Sequence, residues 1–207
     1  MLLSTDLFCK LKSDILRQKY KQGYKLTEQN ICSEYNVSRT PVREALSRLE
    51  TEGLIEALPN RGAFVLGFSA QDIRDIFVLR KFYEIQAVNW AIERITDDEL
   101  EALEETFEIM EFYTQKNDLD KMVNINTNFH QHIYAASHNR MLRNILSSYQ
   151  QYTEYVKKSR SLSDGYLALI LEEHRGIFNA LKARDVKLGI LAMENHMDKS
   201  IERQYGL

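Results

Sequence analysis

The distribution of proline is the feature that most constrains the fold of this chain. Its two prolines, Pro41 and Pro59, lie in the first third of 207 residues, and no other occurs before Leu207. Proline breaks helix interiors and otherwise marks many loops and turns. The long proline-free stretch therefore predicts a mainly helical C-terminal part that follows a first part of different construction.

Composition and charge exclude several classes of protein. A chain that is 44% hydrophobic and 28% charged has the balance of a folded protein. No apolar run approaches the roughly 18 residues that span a bilayer, and polar residues interrupt the N-terminal segment where a secretory signal would need an unbroken apolar run. Cys9 and Cys32 belong to no metal-binding pattern, so they predict two free thiols. We therefore expect a cytoplasmic protein without membrane contact.

The apolar spacing predicts two domains, with a boundary between residues 67 and 68. Residues 1–67 contain three helix candidates (5–19, 28–35 and 39–52) and then a β-hairpin, with strands at 54–58 and 63–66. Three helices followed by a hairpin describe a winged helix-turn-helix. Residues 68–207 form an all-α six-helix bundle, with helices predicted near 70–95, 97–116, 118–137, 139–159, 164–183 and 185–204. The predicted fold class is thus mainly α.

The third helix carries a pattern suited to DNA. Its apolar residues cluster on one face, while Arg39, Thr40 and Arg43 lie on the opposite face. Arginine can contact guanine, and Ser38 and Thr40 suit phosphate oxygens. Arg61 and Gly62 form the tip of the hairpin. Periodicity alone leaves open a second interpretation, an amphipathic surface helix with solvated arginines.

The charge distribution is compatible with DNA binding. The formal net charge is −3, but residues 1–66 hold ten Lys and Arg against eight Asp and Glu. The remainder holds 17 basic against 22 acidic residues. An acidic protein can bind DNA through a locally basic module.

Four segments of the first domain resemble the GntR family of bacterial transcription regulators. They are Leu26-Thr-Glu, the block VSRTPVREALSRLE from Val37 to Glu50, Glu52-Gly-Leu-Ile and Asn60-Arg-Gly-Ala-Phe-Val. The resemblance implies a homodimer that binds a short palindrome in double-stranded DNA and that more often represses than activates. By position it implies base contacts from Arg39 and Arg43, phosphate contacts from Ser38 and Thr40, and a minor-groove contact at Gly62. Gln29 stands where many relatives have arginine, so a DNA contact there carries less charge.

Polar side chains recur on the inward stripes of the predicted bundle. Asn126 and His130 lie one helical turn apart, while His174 and His196 lie on or beside apolar stripes of two other helices. Three imidazoles and an amide oxygen in a bundle core suit a transition metal better than calcium or magnesium. Each histidine considered alone also fits a hydrogen-bonded core residue. His132 and His138 fall off the stripe and are predicted at the surface or in a loop.

The second domain resembles the FCD effector-binding domain of the FadR subfamily, in its shorter, six-helix VanR-like form. The matching segments are Arg80-Lys-Phe-Tyr-Glu84, Asn126-Thr-Asn-Phe-His130, His138-Asn139, Glu173-His174, and Asp185 leading to His196. The resemblance implies a divalent metal held by Asn126, His130, His174 and His196, and from the ligand types we expect Zn or Ni. It also implies a small carboxylate effector that coordinates the metal. Asn126 replaces an aspartate common in the family, which leaves the site more positive.

Arg80 and Tyr152 are predicted as further effector contacts. Arg80 lies on an otherwise apolar helix and can pair with an effector carboxylate, or alternatively with Glu84 four residues later. Tyr149, Tyr152 and Tyr155 are candidates to line the cavity, the alternative being a tyrosine-rich core. The predicted function is a DNA-binding regulator controlled by an organic acid.

Two rival functions follow from the same residues. One is a metal-dependent hydrolase or oxygenase, although no obvious general base lies near the histidines in sequence apart from Glu173. The other is a DNA-binding protein with a purely structural metal.

Overall fold

The chain forms two compact units, Met1–Ile73 and Arg74–Leu207. The computed structural model describes residues 4–59, 61–157 and 165–205. The division falls within the first turn of the long helix that begins at Ala70, a few residues after the boundary predicted at 67/68. The described residues are mainly helical, with one small sheet in the first unit, which confirms the predicted fold class.

The first unit is a winged helix-turn-helix. Its helices and strands are, in chain order, α1 (Ser4–Leu16), β1 (Lys25–Leu26), α2 (Glu28–Tyr35), α3 (Arg39–Thr51), β2 (Ile55–Leu58) and β3 (Gly62–Val65). The strands form an antiparallel sheet in the order β1-β3-β2, in which Ala57 pairs with Ala63. The predicted helices and hairpin are confirmed. The sequence did not predict β1, because two residues are too short to show an alternating pattern.

Local signals explain where the helices of this unit begin and end. The hydroxyl of Thr27 accepts a hydrogen bond from the Asn30 N–H and caps α2. Asn36 ends that helix in the left-handed region, at φ 52°. Leu7, Leu11 and Leu49 are fully buried and join α1 to α3 through the core. This packing fixes the orientation of α3.

The second unit is a bundle of six helices among the described residues. They are α4 (Ala70–Arg94), α5 (Asp97–Gln115), α6 (Leu119–Ala136), α7 (Arg140–Lys157), α8 (Tyr166–Lys182) and α9 (Val186–Tyr205). Every bound lies within two residues of its prediction. The break predicted at 161–165 lies outside the described residues, except for Gly165.

Capping and burial position the helices around the predicted site. Thr96 and Glu99 form a reciprocal capping box at the start of α5, and the Asp118 carboxylate caps α6. Phe129 and Ile133 of α6 and Ile177 of α8 are fully buried in the core of the bundle. None of the described helices combines the length and the apolar character that crossing a bilayer requires.

Candidate DNA interface and metal centre

The outer face of α3 presents the residues that the sequence assigned to DNA. Arg39, Thr40 and Arg43 are exposed, whereas Val42 and Ala45 on the opposite face are fully buried. Ser38 occupies the N-cap position, but its hydroxyl makes no capping hydrogen bond. The first N–H groups of a helix and a neighbouring hydroxyl are suitable donors to a phosphate oxygen.

The hairpin places Arg61 and Gly62 at the solvent-exposed start of β3. Gly62 adopts a φ of +96°, a conformation that L side chains rarely adopt, and it pairs with Leu58. A glycine therefore serves the turn and keeps the backbone accessible. Asn60, part of the predicted motif, lies outside the described residues. Gln29 is exposed in the first turn of α2.

Glu50 has a role that the sequence did not reveal. It is exposed on α3, and its carboxylate accepts a hydrogen bond from the backbone N–H of Ala57 in β2, at 3.1 Å. This contact links α3 to the hairpin. Between them lies a groove of about 580 Å³, lined by residues that include Lys25, Arg43 and Arg61.

Three histidines from three helices converge in the core of the second unit. His130 of α6, His174 of α8 and His196 of α9 are buried, and one ring nitrogen of each lies within 4.8 Å of the others. The ring centroids of His174 and His196 are 4.5 Å apart. No other group of three or more potential His, Cys, Asp or Glu ligands was found in the described part of the chain.

An oxygen acceptor lies next to Nδ1 of each of these rings. His130 Nδ1 is 3.2 Å from Glu84 Oε2, His196 Nδ1 is 3.0 Å from Glu173 Oε2, and His174 Nδ1 is 2.7 Å from the Ile170 carbonyl oxygen. An oxygen acceptor selects the tautomer in which Nδ1 carries the proton and Nε2 the lone pair. Metal-binding histidines show this arrangement.

Glu84 lies at the centre of a buried polar network on α4. Its Oε1 accepts from Arg80 Nε at 2.9 Å, from Arg80 Nη2 at 2.8 Å and from the Tyr134 hydroxyl, while its Oε2 faces His130. Burial raises the pKa of Glu84, but the adjacent His130 and Arg80 outweigh it and hold the pKa below its usual range. Arg80 Nη1 also donates to Thr153 on α7. The structure thus shows the Arg80–Glu84 pair that the sequence left as an alternative.

Glu173 forms a second chain of the same kind. It accepts two hydrogen bonds from Arg203, at 2.6 and 2.8 Å, and one from His196. Burial lowers the pKa of His196 to about 4 despite the opposing effect of Glu173, so its ring is neutral near pH 7. Glu173 is adjacent in sequence to His174, but its carboxylate contacts the ring of His196.

The remaining predicted residues occupy different environments. Asn126 is partly buried on α6, one turn before His130, and Tyr152 is partly buried on α7. The Tyr155 side chain lies outside the described residues. His132 is half-buried beside the Thr106 hydroxyl, and His138 is exposed beside Glu99.

The chemistry of the cluster fits a transition metal. Three buried imidazoles, each with an oxygen acceptor beside Nδ1, form a nitrogen donor set that zinc or nickel accepts. The Nε2 of His130 is buried and has no hydrogen-bond partner among the described residues. A buried nitrogen lone pair without a donor is costly, and a metal ion would satisfy it.

Comparison with known protein families matches both units. Residues 3–65 match the family described as bacterial regulatory proteins, gntR family, and residues 75–199 match the FCD domain. Six helices in the described part of the second unit agree with the shorter FCD form.

Individual proteins similar to this chain are also transcriptional regulators. The chain is 30% identical to the HTH-type transcriptional regulator YdhC of Bacillus subtilis over 195 residues, which cover 92% of this chain and 87% of the relative. It is 27% identical to the HTH-type transcriptional repressor RspR of Escherichia coli, over 93% and 84% of the two chains. The solved structure of E. coli McbR/YncC shares the fold, with a TM-score of 0.78 at 24% identity over 100% of this chain and 98% of that one. The relatives are all transcriptional regulators, which supports a role in transcription regulation rather than in catalysis. The chain belongs to the GntR family of bacterial DNA-binding transcriptional regulators, in the FadR subfamily that carries an FCD domain.

Proposed function

We propose that this regulator is a repressor that binds a palindromic operator as a homodimer, and that a small carboxylate at a divalent metal in the bundle modulates this binding. The observation that carries the proposal is the convergence of His130, His174 and His196, each with an oxygen acceptor beside Nδ1. The name of the relative RspR supports repression as the direction of control.

The proposed DNA contacts follow from exposure and residue type. The arginines of α3 contact base edges, the hydroxyls at its N-terminus contact phosphates, and the hairpin tip enters the minor groove. The residues are Arg39 and Arg43, Ser38 and Thr40, Arg61 and Gly62, with Gln29 as a further contact.

The proposed metal ligands are the three histidines and Asn126, with zinc or nickel as the ion. When bound, the metal would supply a positive charge and a coordination position for a carboxylate oxygen. Asn126 contributes no charge, so the positive charge of the ion is retained for the effector. Arg80 and Tyr152 are the proposed effector contacts, with Arg80 Nη1 exchanging the Thr153 hydroxyl for a carboxylate oxygen.

An exposed apolar surface on α4 supports the homodimer. Val78, Leu79 and Phe82 are exposed large side chains within one turn of helix, and Phe82 is 68% exposed. Exposed apolar clusters of this kind mark association surfaces. Phe82→Lys should therefore shift the molecular mass measured by light scattering from dimer to monomer.

Metal analysis tests the effector site. The purified protein should contain about one divalent ion per chain, and His174→Ala should lose both the ion and the response of DNA binding to organic acids. His132→Ala is the matched control, because His132 lies on the same bundle outside the cluster. Wild-type metal content in His174→Ala would refute the site, and a metal-bound protein whose DNA affinity no organic acid changes would indicate a structural metal.

Operator selection tests the DNA contacts. Arg43→Ala should weaken binding to the selected operator by roughly 1–3 kcal/mol and relax the preference at one base. Arg43→Lys retains the charge but lacks the planar fork, so it should bind random DNA normally while losing the same preference. Equal loss on operator and random DNA would refute base recognition by Arg43.

A further inference from the structure

The side chain of Arg43 is held by a carboxylate from another helix. Arg43 Nε donates to Glu28 Oε1 at 2.7 Å, and the side chains are 65% and 35% exposed. Glu28 is the first residue of α2, immediately after the Thr27 cap. The two residues are 15 positions apart, so sequence periodicity gave no indication of the pair.

This contact occupies one edge of the guanidinium. An arginine carries five N–H donors, and Glu28 accepts from the one on Nε. The other four N–H donors are on the two terminal nitrogens, which form a planar fork at the end of the side chain. Such a fork matches the O6 and N7 acceptors of guanine. A long exposed side chain without this restraint would divide its time among many rotamers and reach phosphates as well as bases.

We propose that Glu28 is a positioning residue for DNA recognition: it orients Arg43 for two-point contact with a guanine and so contributes to operator specificity without touching DNA. The inference rests on the proposed base contact of Arg43. The hydrogen bond from Arg43, its positive charge and the charge of Arg39 lower the pKa of Glu28, so the carboxylate is ionised at neutral pH. Its negative charge also repels the DNA backbone, which discourages Arg43 from settling on a phosphate.

A second interpretation predicts a different result. If Glu28 only competed with DNA for Arg43, its removal would strengthen binding to every sequence and leave base preference unchanged. If it orients Arg43, its removal weakens the preference for one guanine. Affinity alone does not separate these cases, so the base preference at each position is the necessary measurement.

The experiment uses the full chain and an operator selected from a randomised duplex library by the wild-type protein. Glu28→Ala removes the acceptor and should lower the preference for one guanine per half-site about tenfold, at the position where Arg43→Ala loses it. The double variant should show no loss beyond that of Arg43→Ala. Glu44→Ala removes the same charge from the exposed side of α3 and serves as the control. Thermal unfolding of each variant establishes that the first unit remains folded.

The failures of the two proposals are distinguishable. Glu28→Ala with unchanged base preference would overturn the positioning role, whatever its effect on affinity, while the Arg43 contact would stand. Arg43→Ala with the wild-type preference at every position would overturn the base contact and, with it, this inference. A loss of preference in Glu44→Ala equal to that in Glu28→Ala would also overturn the positioning role, because charge alone would explain it.

Discussion

Replacing Glu84 by glutamine tests whether the buried network sets the tautomer of His130. In the wild type, three donors from Arg80 and Tyr134 share Oε1, whereas His130 alone faces Oε2. The glutamine side chain has only one oxygen, and the three donors should keep it as their acceptor. The amide NH₂ then faces His130 Nδ1 and forces that nitrogen to accept, so the proton moves to Nε2, the nitrogen proposed to bind the metal.

Glu84→Gln should lower both the affinity for the metal and the stability of the fold. Loss of an outer hydrogen-bond partner weakens metal affinity about 10- to 100-fold, equivalent to roughly 1.4–2.7 kcal/mol. The side chains of Arg80 and Glu84 are 3% and 0% exposed, so the substitution leaves a buried cation without its counter-ion. Such a change costs about 3–5 kcal/mol of folding free energy, a large part of the roughly 5–15 kcal/mol typical of a domain.

Glu173→Gln is the matched control, because its oxygens are used differently. Its Oε2 accepts from both His196 and Arg203, so a single amide oxygen at that position can satisfy both partners. Only the Arg203 Nη1 contact is lost, and that side chain is 23% exposed to water. We expect a loss of about 1–2 kcal/mol in stability and a change in metal affinity of less than about threefold, well below the range for a lost outer partner.

Two measurements on the purified proteins test whether Glu84 sets the tautomer of His130. Competition with a chromophoric chelator at fixed pH gives zinc affinity, and urea unfolding with excess chelator gives the free energy of unfolding without metal. The expected order of metal affinity is wild type, then Glu173→Gln close to it, then Glu84→Gln far below. Equal losses in the two variants, or wild-type affinity in Glu84→Gln, would refute the tautomer argument.

Two further predictions concern stability. Gly176→Ala adds a methyl group 3.7 Å from Ala192 Cβ, an ordinary contact, and should raise the free energy of unfolding by up to about 1 kcal/mol. Gly189→Ala instead places Cβ 2.2 Å from Ile92 Cδ1 and should lower the free energy of unfolding by roughly 1–3 kcal/mol. Urea unfolding measures both, and a more stable Gly189→Ala protein would contradict the packing. Burial raises the pKa of Glu99, but the Thr96 N–H and other donors outweigh it, so the folded pKa is lower than the unfolded one. The carboxylate therefore stabilises the fold above its unfolded pKa, and this contribution disappears as pH falls through the folded pKa. The difference in melting temperature between wild type and Glu99→Gln should shrink on acidification from about pH 7 to about pH 3. A difference that stays constant with pH would contradict the stabilising role of the Glu99 carboxylate.

The helices were predictable because their signals are local. Thr27, Thr96 and Asp118 each cap a helix a few residues ahead, so their effect is visible in a short window of sequence. The inward orientation of the histidines was predictable for the same reason, since it depends on the apolar stripe of one helix. Strand β1 was missed because its formation depends on pairing with distant residues 63 and 64.

The partners that surround the site depend on packing between helices. Glu84 lies 46 residues from His130, and Glu173 lies 23 residues from His196. Sequence placed Glu84 beside Arg80 and Glu173 beside His174, which are correct neighbours along each helix. Their contacts with the other histidines arise only when the helices meet, and no helical period encodes them.

The two glutamates also show how acidic side chains would support the proposed metal site without attracting a second cation. Each carboxylate is paired with an arginine, Glu84 with Arg80 and Glu173 with Arg203, so neither pair adds net charge. The carboxylates retain their capacity to accept from imidazole, which makes the histidines better ligands. With three imidazoles and the Asn126 amide as the proposed ligands, none of which supplies negative charge, the charge of a divalent ion would remain largely uncompensated. A site of this charge favours an anionic ligand in the open position, which is the physical reason to expect a carboxylate effector rather than a neutral or cationic one.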